Sequence, residues 1–161
     1  FDYRHDEGRR SRCWSLTGFA PLWYGLATPE QAERAVGHLS RFLNRRGLAQ
    51  TDLAYPSPHP EFAWVQFGYP AGWPSMNLLT VMALDRYGFA GEAETIATRY
   101  LSLILDVYQD TGALWEKYNV VDGGTSMPKE RYQPPEFHGW TCTAVTLFGR
   151  RVFEGRPIRW V

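Results

Sequence analysis

The sequence has no excess charge of either sign and no long apolar run. Its 17 Lys and Arg residues balance its 17 Asp and Glu residues, so the formal net charge is zero. A neutral chain gives no support for nucleic acid or an anionic membrane surface as a partner. Its apolar stretches also fall short of the roughly 20 residues that a membrane-spanning helix needs. We therefore expect no nucleic-acid partner and no membrane partner.

Cysteine and metal-ligand patterns are also scarce. Cys13 and Cys142 are the only cysteines, and they lie far apart without metal-type spacing. A disulfide and two free thiols both stay open, with two free thiols as the default. The four histidines are scattered, and the turn that begins at Asp122 lacks the strand and helix context of a phosphate-binding loop. The sequence thus predicts neither a metal nor a cofactor.

The chain starts Phe-Asp-Tyr, without a methionine and without a signal peptide. We expect it to have been cut from something longer. Its 161 residues are the size of one ordinary domain, and 44% of them are hydrophobic, which is enough for a core. The compartment is not indicated by these features.

Aromatic residues, by contrast, are abundant, with 7 Trp, 9 Tyr and 9 Phe. Core packing explains most aromatic residues in most proteins. Several of these stand beside Gly and Pro in loops, where burial is less automatic. Rings in such loops suit stacking on the C–H face of a sugar.

The first predicted helix runs from about Pro29 to Arg46. Thr28 suits the N-cap, Gln31 completes a capping box, and the apolar residues form a one-faced stripe. Gly47 suits the position after the helix. Because its other face is polar, this helix is expected to lie on the outside of the fold, with that face toward solvent.

Three further helices are predicted, over about residues 74–87, 91–109 and 139–152. The second helix of the chain is apolar almost all round, which indicates burial. Two long loops, residues 48–72 and 113–138, lead into the second and fourth helices. Loops of this length inside a compact domain are usually functional or disordered, and aromatic residues argue against disorder. The fold class is therefore all-α, with outer and inner helices alternating and strands limited to a possible short hairpin.

Several motifs carry a family resemblance, and they occur in the family's order over nearly the whole chain. They are Gly18 to Trp23, Gln66 to Trp73 (Gln-Phe-Gly-Tyr-Pro-Ala-Gly-Trp), Thr111 with Gly112, Glu116 to Val120 and Glu136 to Thr141 (Glu-Phe-His-Gly-Trp-Thr). The sequence resembles the C-terminal part of the trehalases, which are inverting glycoside hydrolases that split α,α-trehalose into two glucose molecules.

The resemblance implies an (α/α)6 toroid of twelve helices. Four helices make about a third of one, so residues 1–161 are expected to form a single segment, the C-terminal portion of a catalytic domain. An upstream segment, a second chain or self-association would then complete the barrel, and the inner helix at Met76–Leu84 would be exposed in the isolated chain. Phe67-Gly68 stands where the family has Trp-Asp, which favours a related α-glycoside as much as trehalose itself.

By the same resemblance, Glu136 is the general base that activates water. Its setting agrees, because Pro135 and Phe137 flank it at a helix entrance. The alternative is a glutamate that complements the helix dipole. The resemblance places the acid, an aspartate, upstream of this chain, and it gives Glu116 a binding or positioning role. The alternative for Glu116 is a salt bridge with Lys117 or Arg131.

Gln66 is expected to hydrogen-bond the sugar and Trp73 to stack on it, with Tyr69 as a further substrate-binding candidate from the same motif. For Trp73 the alternative is a core residue at the start of a buried helix. The competing function is a non-catalytic helical module that binds saccharides or another protein.

Overall fold

The computed structural model describes residues 3–57, 61, 66–128 and 132–159. These residues contain five α-helices. Six two-residue strands among these residues pair as three antiparallel ladders. The helices are α1 (Ala20–Trp23), α2 (Pro29–Val36), α3 (Pro74–Arg86), α4 (Ala90–Thr111) and α5 (Gly139–Phe153). The strands are β1 (Tyr3–Arg4), β2 (Arg9–Arg10), β3 (Leu43–Asn44), β4 (Gly47–Leu48), β5 (Ala71–Gly72) and β6 (Tyr118–Asn119).

The core forms where α3, α4 and α5 pack against one another. Tyr100 of α4 lies at its centre, fully buried, with its ring edge-on to the rings of Tyr118 and Phe148 at 6.0 and 6.1 Å. Edge-to-face geometry places the positive rim of one ring on the negative face of the next. The predicted all-α class is confirmed, and the second, third and fourth predicted helices begin and end within two residues of α3, α4 and α5.

The first predicted helix is wrong beyond Val36. The capping box of Thr28 and Gln31 is present as predicted. The helix ends ten residues earlier than expected, however, and the chain continues through a 3-10 turn, Leu39–Arg41, into the β3–β4 hairpin. Gly47 serves this hairpin at a φ of 142° instead of ending a helix.

A buried amide explains why the hairpin replaces the helix. Asn77 of α3 accepts a hydrogen bond from the Leu48 N–H at 2.9 Å and donates to the Leu48 carbonyl at 3.0 Å. It also donates to the Trp73 carbonyl. A buried amide must find partners, and here the partners are strand-like backbone groups. This tertiary contact overrides the local helical pattern of residues 39–46.

The expected exposure of Met76–Leu84 is also wrong. The side chains of Val81, Ala83 and Leu84 are buried within this chain, as are most of their neighbours on α3. Helices α1, α4 and α5 all pack against α3 and cover it. The apolar run therefore makes the core of this segment.

A buried cation fixes α5 to the other two core helices. Arg151 donates to Asp85 of α3 at 3.1 Å and to the Ala90 carbonyl at the start of α4 at 2.9 Å. It also forms a salt bridge with Glu94. Buried charges are tolerated when they are paired in this way, and the pairing sets the position of α5 and of the loop before it.

The cysteines and the helix lengths bear on two expectations from composition. Cys13 and Cys142 are both free thiols, which confirms the default. Within the described part of the chain, no helix combines the length and the apolar character needed to cross a membrane.

The two long loops are joined directly by the β5–β6 ladder. Ala71 pairs with Asn119, and Gly72 pairs with Tyr118. The Gly72 carbonyl also accepts a hydrogen bond from the Tyr100 hydroxyl at 2.8 Å. The first loop, the second loop and α4 therefore meet at one buried glycine.

Gly72→Ala should destabilise the fold because there is no space for a methyl group. A Cβ at Gly72 would lie 2.2 Å from Val120 Cγ1 and 2.9 Å from the Leu48 carbonyl oxygen. Overpacking of this kind costs about 1–3 kcal/mol or more. The measurement is the free energy of unfolding in denaturant.

Gly91→Ala is the matched control, because a Cβ there meets nothing within 4 Å. Gly91 is the second residue of α4, and a helical backbone accepts alanine without strain. Equal unfolding free energies for the two variants would contradict the packing described here.

Candidate functional site

The second loop folds back so that Glu136 lies beside Glu116. Trp115 and Glu136 face each other in an antiparallel bridge. The Glu116 N–H donates to the Pro135 carbonyl at 3.0 Å, and the Phe137 N–H donates to the Leu114 carbonyl at 2.7 Å. Glu136 is exposed, immediately before α5. Glu116 and Glu136 therefore lie on two paired backbone segments. Glu136 pairs with Trp115, so Glu116 is offset from Glu136 by one residue.

The start of α5 holds this pairing in place. The Trp140 indole N–H donates to the Glu116 carbonyl at 2.9 Å, and the Thr141 hydroxyl donates to the Trp115 carbonyl at 2.7 Å. The backbone around Glu116 is therefore fixed on both sides. Glu136 is carried to the N-terminal end of α5, where the helix dipole favours negative charge.

A chain of side-chain hydrogen bonds links the first loop to the second. Gln66 Nε2 lies 2.6 Å from the Tyr132 hydroxyl, and that hydroxyl lies 2.7 Å from Glu116 Oε2. The structure thereby brings together Gln66 and Glu116, which are 50 residues apart in the sequence. Tyr132 was not singled out from the sequence. Its position four residues before Glu136, in the same loop, is the signal that could have identified it.

Aromatic rings lie beneath this hydrogen-bonded chain. The Trp73 ring is only 2% exposed. Phe67 stacks on it with the ring centroids 4.2 Å apart and the planes 7° from parallel, and Trp140 meets it edge-on at 5.9 Å. This burial argues against direct stacking of a sugar on Trp73. Phe67, which is 46% exposed, is the ring of this stack that faces outward.

A fully buried lysine lies between two of the rings. Lys117 Nζ is 5.0 Å from the ring centroid of Trp73 and 5.0 Å from that of Tyr132. A cation at this distance is attracted to the face of each ring. Lys117 therefore helps to fix the Tyr132 ring, and with it the hydroxyl between Gln66 and Glu116. The proposed pairing of Glu116 with Lys117 is replaced by the Tyr132 contact among the described residues, and Arg131 lies outside them.

Tyr69 is directed elsewhere. Its ring is half-buried and packs against the main core, and its backbone N–H donates to the Thr51 hydroxyl at 2.8 Å. Among the described residues, no hydrogen bond or ring contact joins it to Gln66 or Glu116. Its predicted substrate-binding role gains no support from this placement.

A separate cavity of about 380 Å³ opens on another part of the described chain, beside α2. None of the five predicted site residues lines it; its lining includes Cys13, Trp14, Ser15, Phe19, His38 and Phe42. The described residues contain no group of three or more His, Cys, Asp or Glu side chains arranged to hold a metal ion. The loops around Glu136 therefore remain the place where polar groups and rings converge.

Solved structures with this fold belong to the glycoside hydrolases built on the (α/α)6 toroid. The neutral trehalase Nth1 from Saccharomyces cerevisiae aligns with a TM-score of 0.73 and 28% identity, over 94% of this chain and 26% of that chain. The GH63 mannosylglycerate hydrolase from Thermus thermophilus aligns with a TM-score of 0.64 and 22% identity, over 92% of this chain and 32% of that chain. The described helices are thus part of an (α/α)6 toroid.

Sequence comparison narrows this class to one family. Residues 1–151 match the trehalase family. A probable trehalase from Eremothecium gossypii is 35% identical over 126 residues, and one from Oryza sativa subsp. japonica is 32% identical over 146 residues. The chain belongs to the trehalase family, which confirms the resemblance of its motifs. It covers 76% and 86% of its own length in these matches but spans only 17% and 26% of those relatives.

Phe67→Ala should expose the face of Trp73 that Phe67 covers, because the two rings are stacked at 4.2 Å. Exchange of the Trp73 indole N–H with solvent, followed by NMR, is expected to accelerate. Leu53→Ala removes another exposed apolar side chain, 50% exposed, and serves as the control. If both variants left the Trp73 signal unchanged, Phe67 would not be its cover.

Proposed function

We propose that this chain is the C-terminal part of the catalytic domain of an inverting glycoside hydrolase that cleaves α,α-trehalose or a related α-glycoside. The observation that carries the proposal is the linked set Gln66, Tyr132 and Glu116, which joins the first loop to the second loop, the one that bears Glu136. Membership of the trehalase family supports the same class of reaction.

Glu136 acts as the general base in this proposal. An inverting enzyme uses one carboxylate to take a proton from water while the oxygen of that water attacks the anomeric carbon. The glycosidic bond breaks on the opposite side, and an acid gives its proton to the leaving oxygen. Glu136 is exposed shortly before the start of α5, so its carboxylate is accessible to a water molecule.

The acid is supplied from outside the described residues. Base and acid in inverting enzymes lie about 6.5–9.5 Å apart, on opposite sides of the sugar. Glu116 is the other carboxylate predicted for the site, but its Oε2 already accepts a hydrogen bond from the Tyr132 hydroxyl. That contact suits a binding role more than proton donation. An aspartate in an upstream segment, or in a second chain that completes the toroid, is the proposed acid.

Gln66 and Phe67 contribute the sugar contacts of this segment. Gln66 presents an amide held by Tyr132, and the exposed Phe67 ring offers an apolar face to sugar C–H groups. The neighbouring Gly68 brings no carboxylate. The first loop therefore recognises sugar through an amide and a ring without a charge at that position, which leaves room for an α-glycoside other than trehalose.

Glu136→Gln in the full-length protein that carries this segment should lower kcat for the release of glucose from trehalose by about 100-fold or more, the usual contribution of a general base. The binding of trehalose should change little, because the amide has the shape of the carboxylate. Glu33→Gln, on the exposed surface of α2, is the matched control and should retain the wild-type rate. A near-normal rate for Glu136→Gln would remove Glu136 from the mechanism.

The second candidate function is a helical module that binds saccharides without cleaving them. Gly68 favours it, because the carboxylate that the family pattern has there is missing. The same assay separates the two functions. Trehalose binding without any glucose release by the wild-type full-length protein would support the binding module and contradict hydrolysis of trehalose.

A further inference from the structure

We infer that Tyr132 is a positioning residue that fixes which atom of Gln66 faces the sugar. In this arrangement Gln66 offers its Oε1 to the ligand and accepts a hydrogen bond from a sugar hydroxyl. The inference rests on the proposed function, because it assumes that Gln66 lines a sugar site. It assigns a chemical preference to that site: a ligand hydroxyl that can donate a proton.

The direction of the hydrogen bonds follows from the carboxylate. An ionised carboxylate can only accept, so the bond of 2.7 Å between Tyr132 and Glu116 uses the single proton of the phenol. The Tyr132 oxygen then has only lone pairs to offer to Gln66. The group of Gln66 at 2.6 Å from that oxygen must be the NH2 group, its donor.

The carbonyl oxygen of Gln66, on the other side of the amide group, stays available to a ligand. The planar amide holds its oxygen and nitrogen apart, so an NH2 group committed to Tyr132 turns Oε1 away from it. Glu116 therefore determines, through Tyr132, which atom of the Gln66 amide faces a ligand, although Glu116 and Gln66 are linked only through Tyr132. Without Tyr132, the Gln66 amide could rotate and offer either atom to a ligand.

The Tyr132 ring is held by the buried Lys117, so the orientation of the Gln66 amide is a fixed property of the site. Lys117 Nζ lies 5.0 Å from the Tyr132 ring, and the same ammonium group lies 5.0 Å from the Trp73 ring. Lys117 is fully buried. The backbone of Glu116 is fixed in turn by Pro135 and Trp140.

Fluorine replacement of single sugar hydroxyls tests the inference, because fluorine cannot donate a hydrogen bond. The probes are α,α-trehalose and its monodeoxyfluoro derivatives, and the affinities are measured by calorimetry on the full-length protein. For the wild type we expect one derivative to bind about ten-fold more weakly than trehalose, the size of a lost hydrogen bond of about 1.4 kcal/mol.

Tyr132→Phe should reduce this fluorine penalty to about three-fold or less, because the freed amide can turn its NH2 group toward the fluorine. Glu116→Gln should also reduce the fluorine penalty, because an amide can both donate and accept and no longer fixes the direction of the Tyr132 hydroxyl. This second variant tests the inference if Tyr132→Phe does not fold. Tyr55→Phe is the control. Its hydroxyl contacts Asp52 and lies outside the linked set, so its penalty should equal that of the wild type.

Two results would overturn the inference while leaving the proposed function intact. They are a fluorine penalty that is the same in both variants as in the wild type, and a wild type that binds trehalose with no penalty at any position. Failure of the wild type to bind either trehalose or methyl α-glucoside would overturn the proposed recognition of α-glucosides and, with it, the inference. A merely structural role for Tyr132 would weaken every ligand equally and would leave the penalty unchanged.

Discussion

The pairing of Gly72 with Tyr118 is the constraint on which the rest of this structure depends. It joins the two long loops at a point where a side chain larger than hydrogen has no room. Tyr100 of α4 donates to the same glycine carbonyl from the core side. Because Trp73 and α3 follow this point directly, and Lys117 directly precedes it on the other strand, both halves of the candidate site are positioned by one buried contact.

The polar side chains of the candidate site are positioned by residues that adjoin the Gly72–Tyr118 pair. Glu116 lies two residues before Tyr118 and continues into the bridge that aligns Glu136. Lys117 fills the space between the rings, and Tyr132 spans the two loops. The arrangement places acceptors and rings at the surface while their supports are buried. This order, with rigid supports below and exposed chemistry above, is how loops usually carry binding sites.

Local signals in the sequence were enough to predict α3, α4 and α5, because apolar periodicity and glycine stops act within one helix. The end of α2 depends on Asn77, which captures the backbone of Leu48 from another element, and no pattern within residues 29–46 shows that contact. Tyr132 was missed for the same reason: its partners lie 66 and 16 residues away. The motif match indicated the candidate residues, but the cover of Trp73 by Phe67 depends on a ring stack that only the folded loop reveals.

The two loops are held together as one rigid site, and hydrogen exchange at the Val120 and Glu116 amides tests this rigidity most directly. The Val120 N–H donates to the Pro70 carbonyl of the first loop at 3.1 Å, and the Glu116 N–H donates to the Pro135 carbonyl within the second loop at 3.0 Å. In the native full-length protein we expect both amides to be protected from exchange to a similar degree, since they belong to the same rigid unit. Exchange of either amide at the rate of an unstructured peptide would show that its pairing does not persist and would contradict a rigid site.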